Sequence, residues 1–287
     1  MTHPGSSGRL YVVATPIGNL DDITLRALRV LAEADVVAAE DTRHSRTLLS
    51  RHGLERPLLA LHEHNEEQQA ALLVERLKRG ESVALISDAG TPLLSDPGYR
   101  LVGLAAAEGI EVVAIPGASA VTAALSISGL ATDRFAFEGF LPARSSARRQ
   151  LLQDLQPERR TLVFFESSHR IADSLAEMAL VFGPQRQAAL CRELTKRFET
   201  VLRGPLGDIS ERVGADPDQR RGEFVLVVAG CPKQTEEAFP EAVRLARELQ
   251  PLLGASQAAR TAARFMGVPR RAVYEALSGP EAEAGSE

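Results

Sequence analysis

The sequence predicts an α/β fold with a small helical unit at its C-terminal end, and three observations support this. In the first half, short apolar runs alternate with amphipathic stretches of helical period, as in a mostly parallel sheet covered on both faces. In the second half, strand-like runs follow one another with less helix between them, which indicates a mixed sheet. Three short helical patterns then close the chain.

The elements of the first half are predicted from apolar runs bounded by Gly, Pro or charge, and from the helical periodicity between them. Asp21 or Asp22 is expected to cap the first helix, and Asn65 with Gln68 the third. The predicted strands cover residues 10–14, 36–39, 58–61, 83–87 and 112–115. The predicted helices cover residues 22–31, 42–51 and 65–79, with a fourth ending at Gly109.

A break in the pattern near residues 126–133 separates the two halves, and a linker at 232–237 precedes the helical end. We therefore expect a flexible N-terminus (1–9), an N-terminal α/β domain (10–128), a C-terminal α/β domain (129–232) and a helical unit (233–287). The predicted strands are 135–140, 161–165, 188–192, 199–203 and 224–229, and the predicted helices are 145–155, 241–249, 256–265 and 270–277.

The last two helices, with a turn at 267–269, resemble a helix-turn-helix. Such a unit binds nucleic acid in many proteins and is a plain packing cap in others, and both alternatives stay open. The net charge of -5 argues against a protein that coats nucleic acid through bulk charge, although it allows a local basic face.

A chain of 287 residues is expected to form about two domains, and it is long enough to bury a hydrophobic core without disulfides or metal. Its two cysteines, Cys191 and Cys231, exclude a disulfide scaffold and a Cys-rich zinc site, and they fit a cytoplasmic location. The N-terminus lacks the features of a signal peptide, and no apolar stretch is long enough for a membrane span.

Turn-rich loops follow several predicted strands and are the first candidates for a ligand site. They lie at 15–20, 87–92, 95–99 and 116–120. In an open α/β sheet the C-terminal strand ends face a common crevice where ligands bind, and glycine lets a ligand approach the backbone closely. The alternative is that the loops are only turns. Rossmann, P-loop, zincin and GxSxG signatures are missing, so those enzyme classes are weakly supported.

Two charged clusters also follow predicted strands, at residues 40–44 (Glu-Asp-Thr-Arg-His) and 166–170 (Glu-Ser-Ser-His-Arg). Each either carries chemistry or caps the helix that follows. The histidines at 62 and 64, with Glu63, do not complete a ligand set, so no metal is expected. Basic side chains form two groups in the sequence: Arg144, Arg148 and Arg149, and Arg264, Arg270 and Arg271. Each group is either a solvated helix face or a set of contacts to RNA phosphate.

Eight motifs occur in this order: LYVVATPIGNLDDIT (10–24), AAEDTRHS (38–45), LISDAGTPLLSDPGYRLV (85–102), IPGASA (115–120), DRFAFEGFLP (133–142), FFESSHR (164–170), CRELTK (191–196) and GEFVLVVAG (222–230). Through them the chain closely resembles the tetrapyrrole methylase superfamily. Within it, the resemblance is to the enzymes that methylate a cytidine ribose of small-subunit (16S) ribosomal RNA at its 2′-oxygen. The combination of AEDTRH, SDAGTP and ESSHR is far more specific than any one of them, and the C-terminal helical piece also resembles that subfamily's.

The resemblance implies two α/β domains with S-adenosylmethionine, the methyl donor, in the cleft between them. It further implies a homodimer and a substrate in 16S rRNA or the small ribosomal subunit. The cofactor contacts that it implies are Pro16, Ser87, Asp88, Ala89, Gly90, Thr91, Ser119, Ala120, Leu194 and the strand 223–225 with Phe224.

The resemblance leaves the acceptor chemistry open. A ribose hydroxyl is a poor nucleophile, so a general base or a cation should assist the transfer. We hypothesise that Asp41 or Glu40 accepts the proton and that Arg43 or Arg170 orients the ribose or a phosphate. On that hypothesis, Asp41→Asn reduces turnover far more than cofactor binding. Two alternatives remain: a methyltransferase of the same superfamily acting on a small macrocycle, and a non-catalytic cofactor-sensing or ribosome-assembly protein.

Overall fold

A computed structural model describes residues 8–232 and 238–277 of the chain. The chain divides into two compact units, Met1–Gly230 and Cys231–Glu287. Within the described residues, the first unit contains two five-stranded sheets and the second contains three helices. The expectation of an α/β fold followed by a helical unit is therefore confirmed. The boundary expected between residues 128 and 129, inside the first unit, stays a prediction.

The first sheet is entirely parallel, with strand order β3-β2-β4-β1-β5. Its central strands are buried on both faces, because alternate side chains enter two separate apolar clusters; Leu10 and Ala38 lie in one, Val13 and Val37 in the other. The strands are β1 (Arg9–Val13), β2 (Val36–Ala39), β3 (Leu58–Ala60), β4 (Val83–Ile86) and β5 (Glu111–Ile115). The helices are α1 (Leu25–Glu33), α2 (Thr42–Arg51), α3 (Glu66–Lys78), α4 (Tyr99–Ala107) and α5 (Ala120–Ser128).

The second sheet is mixed, as expected, with strand order β6-β7-β10-β8-β9 and one parallel pair, β6 with β7. Strand β7 continues two residues beyond the prediction, because Glu166 and Ser167 pair with Phe224 and Glu223. The strands are β6 (Phe135–Phe140), β7 (Thr161–Ser167), β8 (Gln187–Arg192), β9 (Thr200–Pro205) and β10 (Glu223–Val228). The helices are α6 (Ser145–Leu155), α7 (Ile171–Phe182) and α8 (Leu206–Ala215).

Two predicted helix caps are wrong. Asp21 and Asp22 belong to a short 3-10 turn, and Thr24 caps α1 instead, accepting the amide of Ala27 at 3.0 Å. Thr24 is the last extended residue before the helix, which is the position a cap must occupy. Asn65 precedes α3, but its side chain contacts no helix amide; it accepts the amide of His62 at 2.8 Å and donates to a strand-end carbonyl.

The loops of the first sheet meet the second sheet through one apolar cluster. Helix α5 packs on β8 and β10, and Val121 and Leu125 of α5 join Ile17, Leu194 and Val225 there. The strand-end loops after β1, β4 and β5 thereby lie against one face of the second sheet, and this juxtaposition forms the cavity described below.

The second unit consists of α9 (Ala238–Leu253), α10 (Ala255–Met266) and α11 (Arg270–Leu277) around a small-residue core. All three predicted helices are present, and α9 is longer than expected at both ends. Gly254 and Gly267 adopt positive φ at the two corners, where glycine is favoured. Residues 233–237 of the predicted linker (232–237) and the tail from residue 278 lie outside the described residues. Among the described helices, none has the length and apolar character needed to cross a membrane.

Candidate functional site

A cavity of about 390 Å³ lies where loops of the first sheet face β6, β7 and β10 of the second. Eight residues expected at a cofactor site line it: Asp88, Ala89, Gly90, Thr91, Ser119, Ala120, Leu194 and Phe224. Glu223 and Val225, the neighbours of Phe224 on the strand expected at the site, line it as well. Eight further residues line it that were not assigned to the site: Ile17, Leu94, Ser95, Asp96, Phe140, Phe165, Glu166 and Ser167. The loops at 15–20 and 95–99 and the cluster at 166–170 were noted in the sequence, but nothing there indicated that Phe140 or Phe165 would reach the cavity.

Two expected contact residues, Pro16 and Ser87, lie behind the cavity wall. Both are buried, and Ser87 directs its hydroxyl to the carbonyls of Ala89 and Gly90 at 3.4 Å. Thr15 and Gly90 exchange backbone hydrogen bonds of 2.8 and 3.1 Å, which join the loop after β1 to the loop after β4. These residues therefore shape the loop that lines the cavity.

The segment before α4 is held in an unusual backbone conformation. Leu93 and Ser95 have φ of 74° and 67°, a left-handed region that non-glycine residues seldom adopt. The carboxylate of Glu66, a residue that the sequence did not single out, accepts the amides of Gly98 and Arg100 at 2.9 Å each. Such conformations persist where the surroundings fix them, and they cluster at binding sites.

Asp96 sits in this segment with an unusual electrostatic environment. Burial, together with the negative charges of Glu40 and Asp88, raises the pKa of its carboxyl to about 6, against a hydrogen bond from Ser87 that lowers it. Within residues 8–232 and 238–277 no Lys, Arg or His forms an ion pair with Asp96. The cavity thus contains an acid whose negative charge has no protein cation to balance it.

The cluster at residues 40–44 lies beside the cavity and is joined to it by Asp88, whose carboxylate accepts the Asp41 amide at 3.0 Å. Asp41 caps α2 through the Arg43 amide at 2.8 Å, and its other oxygen lies 2.7 Å from the Arg43 guanidinium. These contacts with Arg43 hold the pKa of the Asp41 carboxyl well below its usual range. Burial, with the charge of Asp88, raises the pKa of the neighbouring Glu40.

The cluster at residues 166–170 forms a buried network. The Glu166 carboxylate lies 2.8 Å from the Arg170 guanidinium and accepts the Ser174 hydroxyl at 2.6 Å. Arg170 also donates to the carbonyl of Leu141 at 2.9 Å and to Ser167 at 3.3 Å. The Arg170 guanidinium is therefore occupied by groups of the protein itself, and it ties the end of β7 to the residue that follows β6.

Leu194 reaches the cavity from a strained loop after β8. Glu193 and Thr195 on either side of it have positive φ of 53° and 66°. The Thr195 hydroxyl accepts the Asn19 amide at 3.0 Å, which ties this loop to the loop after β1. Lys196 lies 2.9 Å from the carboxylates of both Glu193 and Glu223, so the charge of Glu223 at the cavity wall is balanced.

One of the two expected basic groups is smaller than predicted. Arg148 is buried and lies 2.8 Å from the carboxylate of Glu177 on α7, so its inclusion in a surface patch was wrong. Its helical position faces α7, a contact that the sequence of α6 alone does not reveal. Arg144 and Arg149 are exposed, as are the arginines of the second unit: Arg264, Arg270 and Arg271.

Two family models match the chain. Residues 9–210 match the tetrapyrrole (corrin/porphyrin) methylases, and residues 236–278 match a model described as the RsmI C-terminal HTH domain. The first match spans both sheets almost completely, and the second spans the helical unit.

Three similar curated proteins bear the name ribosomal RNA small subunit methyltransferase I. The one from Pseudomonas aeruginosa is 53% identical over 272 residues, which cover 94% of this chain and 96% of that protein. The one from Xylella fastidiosa is 52% identical over 267 residues, covering 93% and 98%. The one from Escherichia coli O157:H7 is 48% identical over 270 residues, covering 94% of each.

Solved structures resemble the chain in fold. Uroporphyrin-III C-methyltransferase from Thermus thermophilus, complexed with S-adenosyl homocysteine, has a TM-score of 0.54 at 21% identity, over 77% of this chain and 97% of that one. The methyltransferase CobJ has a TM-score of 0.58 at 21% identity, over 78% and 95%. At these identities the likeness concerns the fold alone.

Proposed function

The chain belongs to the tetrapyrrole methylase family, and we propose that it transfers a methyl group from S-adenosylmethionine to a cytidine ribose of small-subunit (16S) ribosomal RNA, at the 2′-oxygen. The observation that carries this proposal is the similarity over more than nine tenths of the chain to relatives named as small-subunit rRNA methyltransferases, at 48–53% identity. The helical unit supports it, because the small-macrocycle alternative gives no reason for a helix-turn-helix with exposed arginines.

The cavity fits S-adenosylmethionine in chemistry. One wall is the backbone of residues 88–91, where Gly90 allows close approach, and the other is apolar, with Leu194 and Val225. Asp96 supplies an unbalanced negative charge, and S-adenosylmethionine carries cationic sulfonium and amino groups. We propose that the eight expected residues that line the cavity hold the donor, with Asp96 in addition, while Pro16 and Ser87 support the loop from behind.

When bound, S-adenosylmethionine supplies an activated methyl group, so the chain's own residues need only align the ribose hydroxyl and remove its proton. The contacts of Asp41 with Arg43 leave it a poor proton acceptor. Among the described residues Glu40 forms no ion pair, and its raised pKa suits a general base better. We propose that Glu40 accepts the proton, that Asp41 and Arg43 fix the start of α2, and that Arg170 positions the cavity wall.

Glu40→Gln is expected to lower turnover by about a hundredfold or more, the usual contribution of a general base, with little change in donor affinity. Asp41→Asn should lower it far less, because its carboxylate already serves the helix start and Arg43. In the wild type, turnover should fall as the pH drops below the raised pKa of Glu40, since the protonated acid cannot accept a proton. Steady-state kinetics together with donor calorimetry measure both effects; a larger loss in Asp41→Asn than in Glu40→Gln would return the role to Asp41.

Binding of rRNA should weaken steeply as salt increases, despite the acidic net charge, because the exposed arginines release counterions from phosphate. Arg264→Glu is expected to reduce the slope of log affinity against log salt by about 1, whereas Arg264→Lys keeps the charge and the slope. Filter binding or anisotropy between low and moderate salt measures this. Affinity that stays flat over that range would contradict an electrostatic rRNA interface.

The direct test of the proposed function is transfer of labelled methyl from S-adenosylmethionine to purified small subunits and to naked 16S rRNA, followed by mapping of the modified nucleotide. Label in a 2′-O-methylcytidine supports the proposal. If neither the small subunits nor the naked 16S rRNA become labelled, the proposal is overturned. Copurification of a coloured tetrapyrrole would favour the macrocycle alternative. A homodimer and a cytoplasmic location belong to the same proposal. The exposed Tyr99 and Leu104 on α4 are candidates for the dimer contact, and light scattering on the pure protein tests the dimer.

A further inference from the structure

We infer that Phe140 is the surface on which the base of the acceptor nucleotide stacks at the mouth of the cavity. This inference rests on the proposed function and specifies what recognises the substrate. Three aromatic residues in the described part of the chain line the cavity, and of these Phe140 is open to solvent, whereas Phe165 is half-buried and Phe224 is buried.

A bulge in β6 turns Phe140 toward the cavity. Phe137 pairs with Val163, but Phe140 pairs with Phe165, so Glu138 is an extra residue without a partner on β7. In a regular strand, residues 137 and 140 would face opposite sides of the sheet. With the bulge they share one side, and both rings contact Phe165 edge to face, with centroids 4.8 and 5.6 Å from it.

The position of Phe140 is fixed from both sides. Gly139 has φ of 67°, and a Cβ at this position would lie 3.2 Å from the hydroxyl oxygen of Ser95, another cavity residue. On the other side, Arg170 holds the carbonyl of Leu141. A side chain held in this way loses little freedom when a ligand covers it, which favours binding.

The exposure of Phe140 indicates a ligand with a flat face. Its side chain is 52% exposed, whereas Phe137 and Phe165 are half-buried beneath it. Proteins that bind single-stranded RNA stack unpaired bases on aromatic side chains and hold the backbone with cations. Arg144, exposed directly before α6, lies four residues after Phe140 and provides such a cation for the adjoining phosphate.

The test compares Phe140→Leu, which keeps an apolar side chain but removes the ring, with Phe140→Trp, which keeps a stacking face. The matched control is Phe135→Leu: Phe135 is on the same strand and the same side, is 42% exposed and does not line the cavity. Phe140→Leu should raise the KM for 16S rRNA about five- to a hundredfold. Phe140→Trp and Phe135→Leu should stay near wild type, and calorimetry should show unchanged donor affinity for all three.

Each other outcome counts against the inference. Unchanged KM in Phe140→Leu would overturn it, and so would a loss confined to donor affinity, which would make Phe140 a donor contact. A loss of dimer in light scattering would make it a subunit contact. If Phe140→Leu does not fold, the test rests on Phe140→Trp: a folded Phe140→Trp protein whose KM for 16S rRNA is raised about five- to a hundredfold would overturn the inference, because this variant keeps a stacking face. Wild-type protein that methylates no rRNA would instead remove the proposed function itself.

Discussion

Glu166→Ala is expected to lower the free energy of unfolding of the first unit by about 3–5 kcal/mol, because it leaves a largely buried arginine without its counterion. The Glu166 carboxylate is fully buried and contacts Arg170 at 2.8 Å and Ser174 at 2.6 Å. In a domain of this size, that loss corresponds to a fall in Tm of about 10 °C. Chemical denaturation and thermal melting measure the two quantities.

Glu111→Ala is the control for this change. Glu111 also contacts an arginine at short distance, Arg9 at 2.6 Å, but both side chains are more than half exposed, so the unfolding free energy should change little. Glu166→Gln keeps the size and one acceptor oxygen, and should lie between the two. Equal stability of Glu166→Ala and Glu111→Ala would show that the buried network does not stabilise the unit.

The fold was largely predictable because its strands are apolar on both sides. β2 and β4 have every residue buried, and such runs stand out in the sequence whatever packs on them. Helix starts were less predictable. Asp21 and Asp22 were expected to cap α1, but the cap is Thr24, because the two aspartates belong to the 3-10 turn that precedes the helix. Arg148 was misjudged for a related reason, since its partner Glu177 lies 29 residues away on another helix.

The site was predictable where it consists of strand-end loops and unpredictable where it depends on pairing between strands. The loop 88–91 was expected because parallel strands end at one edge. Phe140 was not, because the bulge that turns it appears only when β6 is aligned with β7. Asp96 lay in a loop that had been noted, but its raised pKa comes first from burial and then from the charges of Glu40 and Asp88, and neither the burial nor the approach of Glu40 can be read from the sequence.

Asp96→Asn is expected to weaken binding of S-adenosylmethionine by about a hundredfold, because it removes the unbalanced charge that a cationic ligand meets in the cavity. Calorimetry at pH 7.5 or another fixed pH well above 6 measures the affinity. Glu223→Gln is the matched control: Glu223 is also a carboxylate at the cavity wall, but Lys196 already balances it at 2.9 Å, so affinity should change little. Equal losses in both variants would mean that overall negative potential, and not Asp96, attracts the donor.

The pH dependence of donor affinity and of Tm tests the role of Asp96 independently of the affinities of the variants. Because the pKa of Asp96 is about 6 in the folded protein, it is ionised at pH 7.5 and increasingly neutral below pH 6, so wild-type affinity should fall about tenfold per pH unit there. Folding raises this pKa from its ordinary 3.8, so the stabilisation linked to the bound proton is complete in acid and lost as pH rises through 6. Asp96→Asn has no carboxyl at this position to lose a proton. The difference in Tm between this variant and the wild type should therefore shift in favour of the variant as the pH rises from 5 to 7.5. A variant that binds the donor weakly yet melts no lower than wild type has lost a binding group and kept its fold.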